Sequence, residues 1–264
     1  MRAEIVSVAN QKGGVGKTTT AINFGAALAA RGLKVLIVDL DPQGNASTGL
    51  GIDRTARTQS VYDVLLDGAP VDDVARSTGF DGLDIIPATT DLSSADTQLI
   101  ASPRRVTHLK SALTRSNRKD DVVLIDCPPA LNLLTINALV ACRSVLVPLQ
   151  SEFFALEGLS QLLLSIKNIR QTANPELRLG GVVLTMFDAR NNISRQVEAD
   201  VRGTLGDLVF QTRIPRNVRL SEAQSYAMPI LAFDPSSRGA IAYKTLAGEF
   251  LRRIQPTQEV QHAG

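Results

Sequence analysis

Lys12-Gly13-Gly14-Val15-Gly16-Lys17-Thr18-Thr19 follows the apolar run Ile5-Val6-Ser7-Val8-Ala9 and leads straight into a helical pattern beginning near Thr20. The order is strand, glycine loop, helix, and it decides the fold. A triphosphate needs many N–H donors converging on it with no side chains in the way. Gly13, Gly14 and Gly16 let the backbone wrap closely enough to supply them. The helix N-terminus adds its partial positive charge. Lys17 is expected to reach the β- and γ-phosphates as a mobile cation, and the Thr18 hydroxyl to join the coordination shell of Mg²⁺. The expected nucleotide-binding stretch runs from Gln11 to Thr19 and includes Val15.

Two departures mark this loop: Gln11 stands where the first glycine of an ordinary P-loop falls, and a second lysine, Lys12, lies inside it. With them the stretch resembles the deviant Walker A loop of the ParA/MinD group of P-loop ATPases. That resemblance implies ATP and Mg²⁺ as cofactors. It also assigns Lys12 to the ATP of a partner subunit, which makes the expected assembly a homodimer formed on ATP binding.

The chain has 264 residues, 44% of them hydrophobic, enough to bury a sizeable core. One ATPase domain is expected over residues 1–254, with a polar, disordered tail over 255–264. The two cysteines, Cys127 and Cys142, form no spaced framework and favour a reducing cytoplasm. A first strand starting by about Glu4 leaves no room for a signal peptide, so a cytoplasmic protein is expected. The longest apolar stretch, Val122 to Cys142, is broken by Asp126-Cys127-Pro128-Pro129 and reads as strand, loop and helix rather than a membrane span. Net charge is +2; acidic and basic side chains balance through residue 184, and the positive excess falls in residues 185–253. An excess that small fits an ordinary solvated face as well as a binding surface.

Along the chain, a first helix is expected from about Lys17 to Arg31, ended by Gly32. Val35 to Asp39 is a continuous apolar run of the kind found in parallel strands covered on both faces. It brings Asp39 and Asp41 to a carboxyl strand end, where open α/β sheets bind ligands. Asp39 reads equally well as a local turn cap, whereas Asp41-Pro42-Gln43-Gly44-Asn45 resembles the second nucleotide motif of the family. Its aspartate matches Asp41, expected to position or activate the attacking water and to stand near the metal. A short helix around Tyr62 to Leu66, a strand at Leu83 to Pro87 and a helix from Pro103 to about Ser116 follow. Val122 to Asp126 reads as Walker B, its aspartate holding Mg²⁺ through water. Helices at Asn132–Ala141, Ala155–Thr172, Ser194–Leu205, Ser221–Tyr226 and Gly239–Arg253, with strands at Ser144–Leu149 and Gly181–Met186, complete an alternation that argues for right-handed crossovers. The fold class is α/β: a three-layer P-loop NTPase fold with a mostly parallel central sheet flanked by helices.

The late segment narrows the resemblance. Glu152 to Gly158, Thr185 to Arg190, Ile214 to Arg219 and Asp234 to Ala240 are similar to chromosomal, Soj-type ParA proteins. The resemblance implies that Pro215 and Asn217 lie against the base, with Met186 a further nucleotide-binding residue, and that Arg190 and Arg219 belong to a DNA-binding surface, with Arg238 and Lys244 as further candidates. Salt-bridge or solvated roles compete for each single arginine. Where the family commonly has Ala-Pro-Ser, an aromatic or histidine, then Gly-Lys-Pro, this chain reads Ala223-Gln224-Ser225-Tyr226-Ala227-Met228-Pro229 and so lacks the lysine at Met228.

The tail from Gln255 to Gly264 has too little apolar surface for the membrane helix of a MinD-type protein, so no membrane partner is expected. The expected function is DNA partitioning: an ATP-bound dimer binds nucleoid DNA non-specifically and is reset by hydrolysis stimulated by a ParB-type partner. The alternatives are positioning of another cargo, such as a chemoreceptor cluster, and a metabolic or redox P-loop enzyme.

Overall fold

The computed structural model describes residues 3–152 and 155–254; the expected tail, 255–264, and Phe153 and Phe154 of the late motif lie outside the described residues. Strands β1 (Glu4–Val8), β2 (Val35–Asp39), β3 (Arg76–Ser77), β4 (Leu83–Ile86), β5 (Val122–Asp126), β6 (Ser144–Gln150), β7 (Arg178–Phe187) and β8 (Val209–Pro215) form one sheet in the order β3-β4-β2-β5-β1-β6-β7-β8. Every neighbouring pair is parallel except β3 with β4 at the edge. The helices are α1 (Lys17–Ala29), α2 (Asn45–Gly49), α3 (Val61–Leu66), α4 (Val71–Val74), α5 (Leu92–Ile100), α6 (His108–Arg115), α7 (Leu133–Ala141), α8 (Ala155–Thr172), α9 (Asn192–Leu205), α10 (Val218–Ser225), α11 (Ile230–Phe233) and α12 (Arg238–Ile254).

The central strands are apolar on both faces because helices cover both. Leu36, Val38, Val123 and Ile125 turn to a core shared with α3 to α9, while Val35, Ile37, Val122 and Leu124 turn to one shared with α1, α2 and α10 to α12. From Thr20 to Ala29 the phosphate-loop helix α1 is buried, its apolar side chains in the second core. Phe24 meets Phe250 of α12 edge-on, ring centroids 5.1 Å apart, an arrangement that adds about 1 kcal/mol beyond area burial. Thr20 and Tyr243 hydroxyls, 3.2 Å apart, join the same two helices. The start of α1 is thereby fixed against both sheet and α12.

Helix α6 begins at His108, five residues later than Pro103 suggests. The cause lies in α7. Asn137 Nδ2 donates to the Arg105 carbonyl at 2.8 Å, and Asn137 Oδ1 accepts from Leu109 N–H at 3.3 Å. Those two backbone groups would bond each other in a helix running through them. Residues 102–107 instead form turns closed by Arg105 N–H to Ser102 O and Thr107 N–H to Arg104 O. Helix α5 and strands β3 and β8 are further elements that sequence patterning did not supply.

Candidate functional site

The site forms where β1, β2 and β5 end side by side. Parallel register sets Asp126 beside Val8 on one side and Asp39 on the other, so the loop after β1 faces the carboxylates that end β2 and β5. Gly14 and Gly16 take φ of 77° and 87°, the left-handed region that glycine enters without cost. Neighbouring groups hold the loop in place. Asn10 donates to the Pro148 carbonyl and accepts from Lys12 N–H, and Thr185 Oγ1 donates to the Val15 carbonyl at 2.8 Å. The Val15 side chain itself is in the core.

A cleft of about 660 Å³ opens over the loop, lined among others by Gly13, Gly16, Lys17, Thr18, Thr19 and Asp41. Lys17 is buried, and its Nζ donates to the Lys12 carbonyl at 2.9 Å. Burial lowers its pKa, while the charge of Asp126 opposes that shift. Asp41 is 8% exposed, and its Oδ1 accepts from Gln43 N–H at 3.0 Å. Asp39 lies deeper, where its Oδ2 accepts from both N–H and Oγ of Ser47. Burial raises its pKa to about 6 even though the Ser47 bonds favour the charged form. Those bonds give Asp39 the local capping role that the sequence allowed.

Asp126 is the anomaly. Fully buried, it has no hydrogen-bond partner at either carboxylate oxygen among the described residues. Burial pushes its pKa well above the ordinary carboxylate range, and the neighbouring Asp39 charge adds to the shift. A buried carboxylate with no well-formed hydrogen bond at either oxygen, beside Lys17 and with the Thr18 hydroxyl close enough to favour its charged form, fits a divalent cation. No cluster of three or more acidic, histidine or cysteine ligands exists among the described residues. A nucleotide-bound Mg²⁺ needs none, since one or two carboxylates, phosphate oxygens and water complete its shell.

A second pocket, of about 340 Å³, continues from the first and shares Gly16, Thr19, Met186 and Ser221 with it. Pro215, Asn217 and Tyr243 also line it, so Met186, Pro215 and Asn217 come together as expected. Met186 has a φ of 48°, unusual for a residue with a side chain. Asn217 Oδ1 caps α10 by accepting from Arg219 N–H, leaving its amide nitrogen for the pocket. Lys12 does not line either space: its Nζ pairs with Glu152. Gln11, likewise, is absent from both linings.

The arginines divide into two groups. Arg190 and Arg238 share a cleft of about 780 Å³ with Arg213 and Arg216. Arg190 makes two 3.0 Å bonds to Asp188, which hold the Asp188 carboxyl at a pKa of about 2. Arg213 bonds Glu198 and lies over the Phe187 ring. Arg219 is tied instead to Glu222 and Asp234, and Lys244 Nζ approaches the Pro235 carbonyl. Sequence reasoning did not single out Arg213 or Arg216: the signal for Arg213 was the late basic excess, and Arg216 lay within the Ile214–Arg219 stretch already matched to the family. It also missed Asn10, and Gln224, whose Nε2 donates to Thr19 Oγ1 at 3.1 Å; the family departure at Gln224 was a signal of that residue's difference.

A sheet of this order with a glycine loop after β1 and aspartates ending β2 and β5 defines a P-loop nucleotide-binding protein. Residues 3–179 match the family model described as AAA domain. The chain is 54% identical over 256 residues to the chromosome partitioning protein ParA of Caulobacter vibrioides, covering 96% of each. It is 51% identical over 246 residues to the sporulation initiation inhibitor protein Soj of Bacillus subtilis, covering 93% of this chain and 97% of that one. In fold it is similar to a structure described as cobyrinic acid a,c-diamide synthase from Mycobacterium smegmatis with bound ATP analog and magnesium, with TM-score 0.83, 40% identity and 96% of each chain covered. The chain belongs to the ParA/Soj family of partitioning ATPases.

Proposed function

We propose that this protein is an ATP-driven DNA-partitioning switch, with residues 1–254 as one ATPase domain. The observation that carries the reading is the orphaned Asp126 carboxylate near Lys17, which lines a cleft over the glycine loop that runs into a second pocket. The names of the relatives, and the nucleotide and magnesium in the related structure, support the same reading. Asp126 and the Thr18 hydroxyl would hold Mg²⁺, with Asp41 as a further candidate, and the bound ion would supply charge neutralisation at the phosphates. Gly13 to Thr19 bind the triphosphate through backbone N–H groups, Lys17 follows the transferring phosphate, and Asp41 orients the attacking water. Phosphoryl transfer depends mostly on such positioning and charge stabilisation.

ATP then joins two copies in an isologous interface. Lys12 leaves Glu152 and meets the partner's nucleotide. Pairing doubles the basic groups Arg190, Arg219, Arg238 and Lys244, and two such sets multiply phosphate contacts on non-specific DNA. Hydrolysis stimulated by a ParB-type centromere-binding protein resets the dimer, and the protein resides in the cytoplasm on the nucleoid. No helix among the described residues is long and apolar enough to cross a membrane.

The test is retention on DNA-coated sensors with ATP, with ADP and without nucleotide, paired with sedimentation. Retention that needs ATP and falls steeply with salt is expected; equal binding in all three states would sink the reading. Lys12→Ala is expected to bind ATP yet sediment as a monomer. A related structure carries the name of a biosynthetic enzyme, which gives the metabolic alternative a concrete form. That alternative predicts turnover of a second substrate and no response to DNA.

A further inference from the structure

Arg57 is only 8% exposed, yet all four of its hydrogen bonds go to neutral oxygens. Nη1 donates to the Ala88 carbonyl at 3.0 Å. Nη2 donates to Thr48 Oγ1 at 2.7 Å and to the Ile52 carbonyl at 2.8 Å, and Nε reaches the same Ile52 carbonyl at 3.2 Å. Burying a guanidinium among neutral acceptors is expensive, and a residue that only filled space would be apolar. Desolvation accordingly lowers its pKa, partly offset by the charge of Asp39.

The acceptors share a location. Thr48 and Ile52 belong to the segment that follows Asp41, and Ala88 lies just beyond β4, the strand beside β2. Gly44 lies directly under the guanidinium: a Cβ there would sit 2.5 Å from Arg57 Nη1, and the residue already has a φ of 62°. Gly44 N–H in turn closes a 2.9 Å turn onto the Asp41 carbonyl, and Thr48 Oγ1 donates to the Gly44 carbonyl at 3.0 Å. On the other side Ser47 Oγ bonds Asp39 and accepts from Ala88 N–H. The segment is thus held on one side by Asp39 through Ser47 and on the other by Arg57, the two anchored to the N–H and the carbonyl of the same residue, Ala88.

Resting on the ATPase reading above, we propose that Arg57 is a positioning residue for hydrolysis: through Gly44 and Thr48 it fixes the turn that presents Asp41 to the cleft. Arg57 makes no hydrogen bond to the phosphate loop, and of its partners only Thr48 lines the cleft, so its effect falls on turnover more than on nucleotide affinity. Small misplacements of a positioning group cost heavily in rate. A flat, forked guanidinium spreads its donors over three acceptors in one plane, a reach that the compact ammonium of a lysine matches only in part.

The test compares Arg57→Met and Arg57→Lys with the wild-type chain in steady-state ATP turnover, nucleotide affinity, melting temperature and amide hydrogen exchange. Arg57→Met is expected to lower kcat by about 10- to 100-fold with affinity changed by less than about threefold. Exchange across residues 44–50 should rise at least about tenfold, with β1 and β5 still protected. Arg57→Lys should recover part of kcat. Thr48→Val, which removes one acceptor, should show the same split on a smaller scale, and it carries the test if Arg57→Met does not fold. Wild-type kcat in Arg57→Met, or affinity, kcat and melting temperature falling together, would overturn the proposal, as would unchanged kcat in Thr48→Val. A wild-type chain that hydrolyses no ATP would defeat the ATPase reading instead, and exchange across residues 44–50 would then decide the clamp alone.

Discussion

Lys17 and Arg190 are both cations expected to meet phosphate, and the protein holds them in opposite ways. Lys17 is 7% exposed, set at the start of a helix locked into the core, and near carboxylates that oppose its loss of charge. The Arg190 side chain is 91% exposed, and among the described residues only Asp188, two positions away, holds it. The first arrangement is paid for in advance by burial and backbone geometry, so it can discriminate between phosphate states separated by one bond. The second gives up its intramolecular partner whenever a polyanion competes, which suits contacts that must form and release along DNA without reading sequence. One region is preorganised and the other exchangeable. That difference predicts where substitutions hurt most.

The largest effect belongs to Asp41. Removing a preorganised group that acts on the reacting atoms costs about 100- to 1000-fold in turnover, while ATP affinity, set by the loop, should change little. Asp41→Ala is therefore expected to accumulate as the ATP-bound dimer, measured by single-turnover phosphate release and sedimentation. Normal stimulated turnover would remove Asp41 from the chemistry. Lys17→Ala comes next and should show the complementary pattern, losing roughly 10- to 100-fold in nucleotide affinity itself as a charge-assisted contact disappears. Calorimetry with a non-hydrolysable analogue reads this directly. If the two variants gave the same split between affinity and turnover, the cleft would not divide binding from chemistry as its geometry suggests.

The same contrast explains what could be read from the sequence. The phosphate loop was legible because strand, glycines, lysine and helix are contiguous, and each follows a local rule. Asp126 stood out because a hydrophobic run ending in a carboxylate has one placement in a parallel sheet, and Asp41 because Asp41-Pro42-Gln43-Gly44-Asn45 resembles the family's second nucleotide motif. What escaped notice depends on contacts between distant residues. Gln224 meets Thr19 across 205 positions of sequence, and Tyr243 meets Thr20 across 223. The helix start at Pro103 failed because Asn137, on another helix, takes the backbone groups of Arg105 and Leu109. Arg57 carries no motif at all. Arg213 and Arg216 join Arg190 and Arg238 only because β7, β8 and α12 come together at one edge.

On the exchangeable side the expected effects are smaller. Arg190→Glu or Arg219→Glu should weaken DNA retention by roughly tenfold or more per subunit at low salt through lost and reversed phosphate contacts, with ATP-driven dimerisation unchanged. The carboxylates now bonded to these arginines would be released as well, so Asp188→Asn provides a control: freeing Arg190 from Asp188 should leave DNA binding equal or stronger. Retention lost in Asp188→Asn would mean that the ion pair orders the site and that its exchange is not the operating principle.

The smallest effect tests whether a phosphate contact can be added as easily as it is removed. The loop after α10 reads Tyr226-Ala227-Met228-Pro229 where the family pattern has an aromatic or histidine followed by Gly-Lys-Pro. Ala227 nevertheless keeps a φ of 54°, a conformation that glycine adopts freely. Tyr226 stacks on Phe233 at 5.1 Å, and Met228 is 46% exposed. The backbone therefore retains the shape expected of the glycine-containing loop, and the substituted side chain points to solvent. Met228→Lys should need no rearrangement to offer its ammonium to a phosphate. One added contact should steepen the dependence of log affinity on log salt by about 0.9 and strengthen low-salt retention severalfold, leaving ATP turnover unchanged without DNA. A slope that stays the same would mean that position 228 lies off the DNA path. A gain equally large at high salt would point to an ordered contact of the preorganised kind, and the division between the two regions would then fail at this loop.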